Sequence, residues 1–275
     1  MAHQKKIALI NDVTGFGRCS VAVELPLISA LKVQACILPT AILSVHTGFH
    51  DFYLDDYTDR MEPYIESWRK NDLSFDGIST GFLGSVRQIE IVLQFIKEFK
   101  RPETTVIVDP VMGDNGRLYP SYTEEMCREM RRFLSCADVL TPNLTEACQL
   151  LSIPYRTDIE SNDNELCTMA KALADAGPRR VVLTGLHRGT KVGNFLYEKG
   201  KNPQWVLHEK IGSDRSGTGD VFAAIVSASV VKGESLYTSV EKAADFIAKC
   251  MVYTESLDLP HNYGLAFEEY LTTLQ

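Results

Sequence analysis

The segment SDRSGTGD, residues 213–220, leads directly into an apolar run that begins at Val221. Glycines at the mouth of a helix leave backbone N–H groups accessible, and the helix dipole attracts negative charge there. We therefore interpret Gly217, Thr218 and Gly219 as a cradle for an anion. Asp220 would lie in the first helical turn, where an acidic residue is a good helix start and where a carboxylate can also accept the proton of an attacking hydroxyl.

Upstream of this segment, short apolar runs alternate with longer amphipathic stretches. This rhythm is typical of strand–helix–strand units, which build a mainly parallel sheet with helices on both faces. The predicted strands are Lys6–Ile10, Gln34–Leu38, Gly77–Thr80, Thr105–Val108, Val139–Thr141 and Arg180–Leu183. The predicted helices are Val21–Leu31, Asp55–Lys70, Ser85–Phe99, Tyr122–Leu134, Thr145–Leu151, Asn164–Ala176, Gly219–Val231 and Leu236–Ser256. We expect an α/β fold of three layers, forming a single domain over residues 1–275, with Val192–Tyr197 and Trp205–Lys210 as an antiparallel hairpin at the sheet edge.

Composition and charge exclude several classes of protein. Hydrophobic residues make up 45% and charged residues 23% of the chain, which is ordinary for a globular protein. The formal net charge is −8 and the basic residues are scattered, so no basic stripe for nucleic acid is predicted. The longest apolar run is too short to span a membrane, and the polar start lacks the core of a signal peptide. Seven cysteines without a C-x-x-C pair argue against disulfides and zinc. We expect a cytoplasmic protein.

Carboxylates follow two of the predicted strands. Asp109 and Asp114 flank a turn at the carboxyl edge of the sheet, where open α/β folds bind ligands. Such a turn also uses Asp and Gly for its geometry alone. Asn143 and Glu146 stand one helical turn apart after the next strand, which fits a pair of oxygen ligands for a hard cation and equally fits a capping box. The segment 110–120, rich in glycine and proline, is predicted to be a mobile loop.

The segment Gly217-Thr218-Gly219-Asp220 with the Val-Phe-Ala-Ala that follows resembles the signature of ribokinase-like small-molecule kinases. The Asp-Pro-Val-Met-Gly segment that begins at Asp109 resembles the vitamin B6 kinase and hydroxymethylpyrimidine kinase branch of that superfamily. The resemblance covers nearly the whole chain and implies a ribokinase-like fold. It implies ATP and Mg²⁺ as cofactors, and it leaves room for a monovalent cation such as K⁺. It also implies a homodimer.

The resemblance assigns roles to residues of this chain. Asp220 would be the catalytic base, and the glycines around Thr218 would form an anion hole for the transferred phosphoryl group. Asn143, Glu146 and Asp109 would hold Mg²⁺, directly or through water. The remaining residues expected near the nucleotide phosphates are Asp109, Asp114, Thr141, Thr184, Gly185 and Ser216.

On the substrate side, the resemblance points to strand-end residues of the first half of the chain. These are Asn11, Asp12, His46, Thr47 and Phe82. Vitamin B6 kinases often carry a serine after the first strand and hydroxymethylpyrimidine kinases an aspartate, so both substrates stay open. Asp12 either recognises a protonated ring nitrogen or amine, or caps the turn at residues 15–17. The implied activity is phosphorylation of the 5′-hydroxymethyl group of pyridoxal, pyridoxine or pyridoxamine, with hydroxymethylpyrimidine as the alternative.

Two alternatives belong to other classes. The segment Gly77-Ile78-Ser79-Thr80-Gly81 matches G-x-S-x-G, the nucleophile pattern of α/β-hydrolases, but Ser79 would lie inside a strand rather than at a turn. A domain of this fold could also keep the nucleotide pocket and serve as a sensor without catalysis. The presence of Asp220 and its glycines favours an enzyme.

Overall fold

A nine-stranded sheet forms the middle layer of the protein in a computed structural model that describes residues 4–275. The strands are β1 (Lys6–Phe16), β2 (Gln34–Val45), β3 (Leu54–Asp56), β4 (Gly77–Thr80), β5 (Thr105–Val108), β6 (Gly113–Asp114), β7 (Arg117–Leu118), β8 (Val139–Leu140), β9 (Arg180–Arg188), β10 (Lys191–Glu198) and β11 (Gln204–Glu209). The order across the sheet is β11-β10-β9-β8-β5-β4-β1-β2-β3, and β6 and β7 form a separate hairpin. The six strands from β9 to β2 in this order are parallel, and antiparallel pairs close both ends.

Helices cover both faces of the sheet. They are α1 (Val21–Ala30), α2 (Thr58–Lys70), α3 (Val86–Phe99), α4 (Glu124–Met130), α5 (Leu144–Leu151), α6 (Asp163–Asp175), α7 (Thr218–Val231) and α8 (Leu236–Ser256). Alternate residues of β1 point to opposite faces, as a pleated strand requires. Ile7 and Leu9 pack with α1, α7 and α8, whereas Ala8 and Ile10 pack with α2 to α6. The predicted three-layer α/β fold is confirmed, and the prediction of a single domain stays a prediction that this one sheet supports.

Strand β1 is longer than predicted because it continues through polar residues. Asn11 and Asp12 lie within β1 rather than after it, and its register against β2 shifts between Asn11 and Val13. A bulge of this kind bends a strand and redirects its side chains. The prediction that these two residues follow the strand was therefore wrong, although it placed them correctly near the carboxyl edge of the parallel sheet.

The sheet edges also differ from the sequence-based expectation. Helix α2 begins at Thr58 instead of Asp55, because Leu54–Asp56 pairs with β2 as the edge strand β3. Strand β9 runs on to Arg188 because it pairs antiparallel with β10. The predicted hairpin of β10 and β11 is confirmed, so β9, β10 and β11 form a meander at this edge.

Helix α7 is apolar on all sides and lies between the sheet and two other helices. All residues from Val221 to Val231 are buried, and α7 contacts α1 and α8 as well as β4 and β5. A helix of this kind belongs in a core. Its burial brings the N-terminus of α7 to the edge where the parallel strands end.

Along residues 4–275, no helix combines the length and the apolar composition that crossing a bilayer requires.

Candidate active site

The turn before α7 is built around Gly217. This residue is the N-cap of α7 and has a φ of 79°, in the left-handed region that favours glycine. A side chain there would collide with the carbonyl oxygen of Arg18. Thr218 donates its hydroxyl to the carbonyl oxygen of Arg215 over 2.7 Å, which closes the turn. The first N–H groups of a helix have no partners inside it, so this turn offers them to an anion.

Asp220 stands in the first turn of α7 and lines the cleft beside this turn. The backbone N–H of Ser20 donates to its Oδ2 atom over 2.8 Å. Burial is the main cause that raises the pKa of Asp220 to about 7; the negative charge of Asp12 acts in the same direction, and the hydrogen bonds from Ser20 and Asn11 oppose it. A carboxylate whose pKa lies near neutrality is well suited to accept and release a proton.

A cleft of about 610 Å³ opens at this edge of the sheet. It brings together residues from the ends of β5, β8 and β9 and from the N-terminus of α7. Every residue predicted for the base, the cradle, the phosphates and the metal lines it: Asp109, Asp114, Thr141, Asn143, Glu146, Thr184, Gly185, Ser216, Gly217, Thr218, Gly219 and Asp220. Thr184 and Gly185 do so from inside β9 rather than from its end.

Asp109 and Glu146 are acids in a poorly solvated part of the cleft. Burial and then the nearby Asp220 raise the pKa of Asp109 to about 8. Burial and then the charge of Asp109 hold the pKa of Glu146 well above its usual range. The acids therefore repel one another when ionised, and a divalent cation between them would relieve that repulsion.

The donor chemistry fits Mg²⁺ supplied with a nucleotide. Among residues 4–275, no three Asp, Glu, His or Cys side chains gather into a complete metal site. Mg²⁺ is usually held by one or two carboxylates together with water and phosphate oxygens, rather than by a cage of protein ligands alone. Two acidic side chains, Asp109 and Glu146, match that need.

Asn143 and Glu146 form the capping box of α5. The Asn143 side chain accepts the Glu146 N–H over 3.0 Å, and Glu146 Oε2 accepts the Asn143 N–H over 2.9 Å. The same two side chains also hold the segment 110–120. Glu146 Oε1 accepts the N–H of Met112 over 3.1 Å, and Asn143 donates its amide to the Gly113 carbonyl over 2.8 Å. That segment is a β6–β7 hairpin, and its predicted mobility stays a prediction.

The predicted substrate residues lie beside the cleft rather than in its wall. Asp12 is 5% exposed, and its carboxylate accepts the hydroxyls of Thr14 and Ser20, each over 2.7 Å. Asp12 thus ties β1 to the start of α1, and it does not cap the turn at residues 15–17 in this arrangement. Asn11 is buried, and its hydrogen bonds all run to protein groups.

His46 connects the end of β2 with the C-terminal part of the chain. Its Nδ1 accepts the N–H of Gly48 over 3.1 Å, so its Nε2 carries the hydrogen that is donated to the Asn262 carbonyl over 2.8 Å. Thr47 is exposed beside it. Phe82 packs edge-on against Tyr122, with ring centroids 6.3 Å apart. Substrate contact by these residues stays a prediction.

Ser79 does not resemble a hydrolase nucleophile in its surroundings. It lies inside β4, is 2% exposed, and its hydroxyl is 3.1 Å from that of Ser227 in α7. A nucleophile elbow would place it at a turn open to solvent. The hydrolase interpretation was wrong because Ser79 is inside a buried strand: Gly77 packs against Val231 of α7, and Gly81 leaves room for the Asn11 side chain.

Sequence reasoning missed two kinds of residue. The first is the apolar wall of the cleft, which includes Phe222, Ile247 and Met251 from α7 and α8; no local spacing marks a wall assembled from separate helices. The second is Glu24, which is 2% exposed in α1 and accepts a hydrogen bond from the Asn11 amide. The sequence does contain a sign of it: Glu24 lies on the same helical stripe as Leu27, Ile28 and Leu31, and it is the one acidic residue among these apolar ones.

Comparisons with known proteins agree with this site. The model of the phosphomethylpyrimidine kinase family matches residues 22–265. A pyridoxal kinase of Arabidopsis thaliana is 34% identical over 193 residues, which are 66% of this chain and 60% of that protein. A hydroxymethylpyrimidine/phosphomethylpyrimidine kinase of Haemophilus influenzae is 31% identical over 71% of this chain and 70% of its own length.

A solved structure is similar over almost the whole chain. It is a protein of Bacteroides thetaiotaomicron assigned to the phosphomethylpyrimidine kinases and crystallised with pyridoxal. It has 39% sequence identity and a TM-score of 0.95, and the match covers 99% of this chain and 96% of that one. With the family model matching most of the sequence, the chain belongs to the phosphomethylpyrimidine kinase family.

Proposed function

We propose that the protein is an ATP-dependent kinase that phosphorylates the 5′-hydroxymethyl group of a vitamin B6 compound: pyridoxal, pyridoxine or pyridoxamine. The observation that carries the proposal is the position of Asp220, a carboxylate with a pKa of about 7 directly beside the anion cradle at the start of α7. A base and a phosphoryl site that adjoin in one turn are the parts that phosphoryl transfer to an alcohol needs.

In the proposed reaction, Asp220 accepts the proton of the substrate hydroxyl as its oxygen bonds to the γ-phosphorus of ATP. The bond between that phosphorus and the β–γ bridging oxygen breaks, and ADP leaves with the electron pair. The N–H groups from Gly217 to Gly219 stabilise the negative charge on the transferring group, because they are oriented before the reaction begins. Thr184, Gly185, Thr141 and Ser216 line the cleft where the other phosphates would lie.

Asp109, Glu146 and Asn143 would hold Mg²⁺, directly or through water, and Asp114 lines the same cleft. When bound, the ion would neutralise charge on the ATP phosphates. In its absence the site is strongly acidic, and the cationic side chains in the wall are engaged elsewhere: Arg215 pairs with Glu255 over 2.9 Å and Lys210 with Asp214 over 3.6 Å. ATP binding without a cation would therefore be weak.

The hairpin at residues 113–118 would close over bound nucleotide and keep water from the transferring phosphate. Asn143, the N-cap of α5, and Thr145 hydrogen-bond the hairpin, and Glu146 holds the adjacent Met112, so the hairpin lies beside the acids of the site.

Two substrates are supported by different observations. The similar structure from Bacteroides thetaiotaomicron contains pyridoxal, which favours a B6 vitamer. The family model and the Haemophilus influenzae relative favour hydroxymethylpyrimidine or its phosphate as the second candidate. The proposal also includes a cytoplasmic location, as expected from the sequence, and a homodimer, as the resemblance implies.

The test is to incubate the pure protein with Mg·ATP and, separately, pyridoxal, pyridoxine, pyridoxamine and hydroxymethylpyrimidine, and to measure ADP and phosphorylated product. A B6 5′-phosphate supports the proposal, and product from the pyrimidine alone assigns the second candidate. Asp220→Ala should lower turnover by about 10²–10⁴-fold, the usual effect of losing a general base, while ATP binding is kept. Absence of product from all four compounds would contradict the proposed activity.

A further inference from the structure

Glu24 is a buried acid without a basic partner among the ion pairs of residues 4–275. It lies in the first turn of α1 and is 2% exposed. The groups that face it are the Asn11 amide and the carboxyl groups of Asp220, Asp109 and Asp12. Burying a carboxyl group in such surroundings is unfavourable for folding, and core helices ordinarily carry an apolar residue at this position. A purely structural role does not explain an acid here.

Asn11 joins Glu24 to the catalytic region. Its Oδ1 accepts the N–H groups of Asp12 over 2.9 Å and Phe82 over 2.8 Å. Two donors on one side settle the orientation of the amide, so Nδ2 points to the opposite side. There it donates to Glu24 Oε2 over 2.9 Å, and it also faces Asp220, whose ionised form it favours.

The backbone around Asn11 is shaped to hold this side chain. The register of β1 against β2 shifts directly after Asn11, where β2 has one extra residue. Gly81 leaves room for the amide, because a Cβ atom there would be 2.5 Å from Asn11 Cγ. The amide is therefore held from three directions, by the Phe82 N–H, by Glu24 and by the space over Gly81.

We propose that Asn11 and Glu24 are positioning residues for Asp220: the Asn11 amide orients the Asp220 carboxylate together with the Ser20 N–H, and Glu24 keeps the Asn11 amide in that orientation. The proposal rests on the proposed function, in which Asp220 is the base. It assigns Asn11 a role different from the substrate contact predicted from the sequence, since its acceptor oxygen and its amide group are both engaged by the protein. Burial, and then the charge of Asp220, hold the pKa of Glu24 well above its usual range, which favours the uncharged form of Glu24 beside Asp220.

The experiment compares steady-state kinetics of Asn11→Leu, Glu24→Leu and Glu24→Gln with the unchanged protein, using Mg·ATP and the substrate it phosphorylates. We expect Asn11→Leu and Glu24→Leu to lower kcat by about 10–100-fold, as loss of orientation at a base does, while KM for ATP and for the substrate stays within about twofold. Glu24→Gln keeps an uncharged acceptor for the Asn11 amide and should restore kcat to within about threefold of the original.

Asp138→Leu serves as the matched control. Asp138 accepts Lys100 Nζ over 2.9 Å and the Val106 N–H over 2.8 Å at the opposite edge of the sheet, so its loss should lower the melting temperature without lowering kcat. Unchanged kcat in both Leu variants, or a rise in substrate KM at unchanged kcat, would overturn the positioning role. Failure of Glu24→Gln to exceed Glu24→Leu would also overturn it.

Asp220→Asn separates this inference from the proposed function. Full turnover by Asp220→Asn would show that Asp220 is not the base, and it would reject the proposed mechanism. Loss of turnover in Asp220→Asn combined with full turnover in Asn11→Leu and Glu24→Leu would leave the proposed function in place and reject the positioning pair alone.

Discussion

The carbonyl oxygen of Arg18 occupies the space that a side chain on Gly217 would need. The two segments are far apart in sequence, yet their backbones touch where α1 and α7 begin. We expect Gly217→Ala to separate them, because the new methyl group collides with backbone and the φ of 79° strains any residue other than glycine. Turnover should fall by at least about tenfold and the melting temperature by several degrees, measured by a coupled ADP assay and by thermal unfolding.

Gly219→Ala is the control for that variant. Nothing lies within 4 Å of a Cβ atom on Gly219, and alanine suits a helix better than glycine. Its melting temperature should stay equal or rise slightly. A similar loss of stability in both variants would show that the contact with Arg18 is not the cause.

The pH dependence of kcat should report the base. Asp220 accepts a proton only when it is ionised, and its pKa is about 7, so kcat should fall about tenfold per pH unit below that value and level off above it. The negative charge of Asp12 raises the pKa of Asp220, so Asp12→Asn should move the midpoint to lower pH. A flat profile between about pH 5.5 and 8, the range over which a carboxylate with this pKa changes its charge, would contradict this assignment.

Arg215 ties the cradle to α8. Its side chain is 4% exposed, and it donates to Glu255 over 2.9 Å and to the Leu259 carbonyl over 2.6 Å. We expect Arg215→Met to lower stability by about 2 kcal/mol, less than for a fully buried pair because Glu255 is partly solvated. KM for ATP should rise several-fold as the loop loosens.

Arg215→Lys keeps the positive charge but lacks the two guanidinium nitrogens that reach Glu255 and the Leu259 carbonyl together. Its melting temperature and its KM for ATP should therefore lie between those of Arg215→Met and the unchanged protein. Equal values in all three proteins would show that the ion pair does not hold the loop.

Binding of Mg·ADP should release protons. The pKa of Asp109 is about 8, so this carboxyl group holds a proton at pH 7 that a cation displaces, and the raised pKa of Glu146 acts in the same direction. Affinity for Mg²⁺ in the presence of ADP should therefore rise from pH 6.5 to about 8.5, the window that the first of these pKa values sets. Isothermal titration calorimetry in two buffers of different ionisation enthalpy measures the released protons, and identical heats in both buffers would contradict the prediction.

The sequence predicted best those features that depend on residues close together in the chain. The glycine turn before an apolar run marked the N-terminus of α7, and the apolar runs at Thr105–Val108 and Gly77–Thr80 marked buried parallel strands at the bounds later observed. Asn143 and Glu146 were open to two interpretations, and the capping box is present in the structure. The same side chains also line the cleft, so one spacing serves both purposes.

Pairing between distant strands was not visible in the sequence. Asn11 and Asp12 are polar residues inside β1, which an alternation rule assigns to a loop; only their hydrogen bonds to α1 and neighbouring segments explain their place in a buried strand. Leu54–Asp56 looks like the start of a helix until its pairing with β2 is known. Likewise, the contacts of Ser20 with Asp220 and of Asn11 with Glu24 join separate elements, and no spacing rule connects such residues.

The central position of α7 has a consequence for synthesis. Strands β1 to β11 all precede α7 in the chain, while α7 covers the middle of the sheet against β4 and β5. A nascent chain that has emerged only as far as residue 217 therefore exposes the apolar face that includes Ile7 and Leu9, and it lacks Asp220 altogether. Such a chain is a natural client for chaperones, and truncation upstream of α7 should yield aggregating, inactive protein rather than a smaller enzyme.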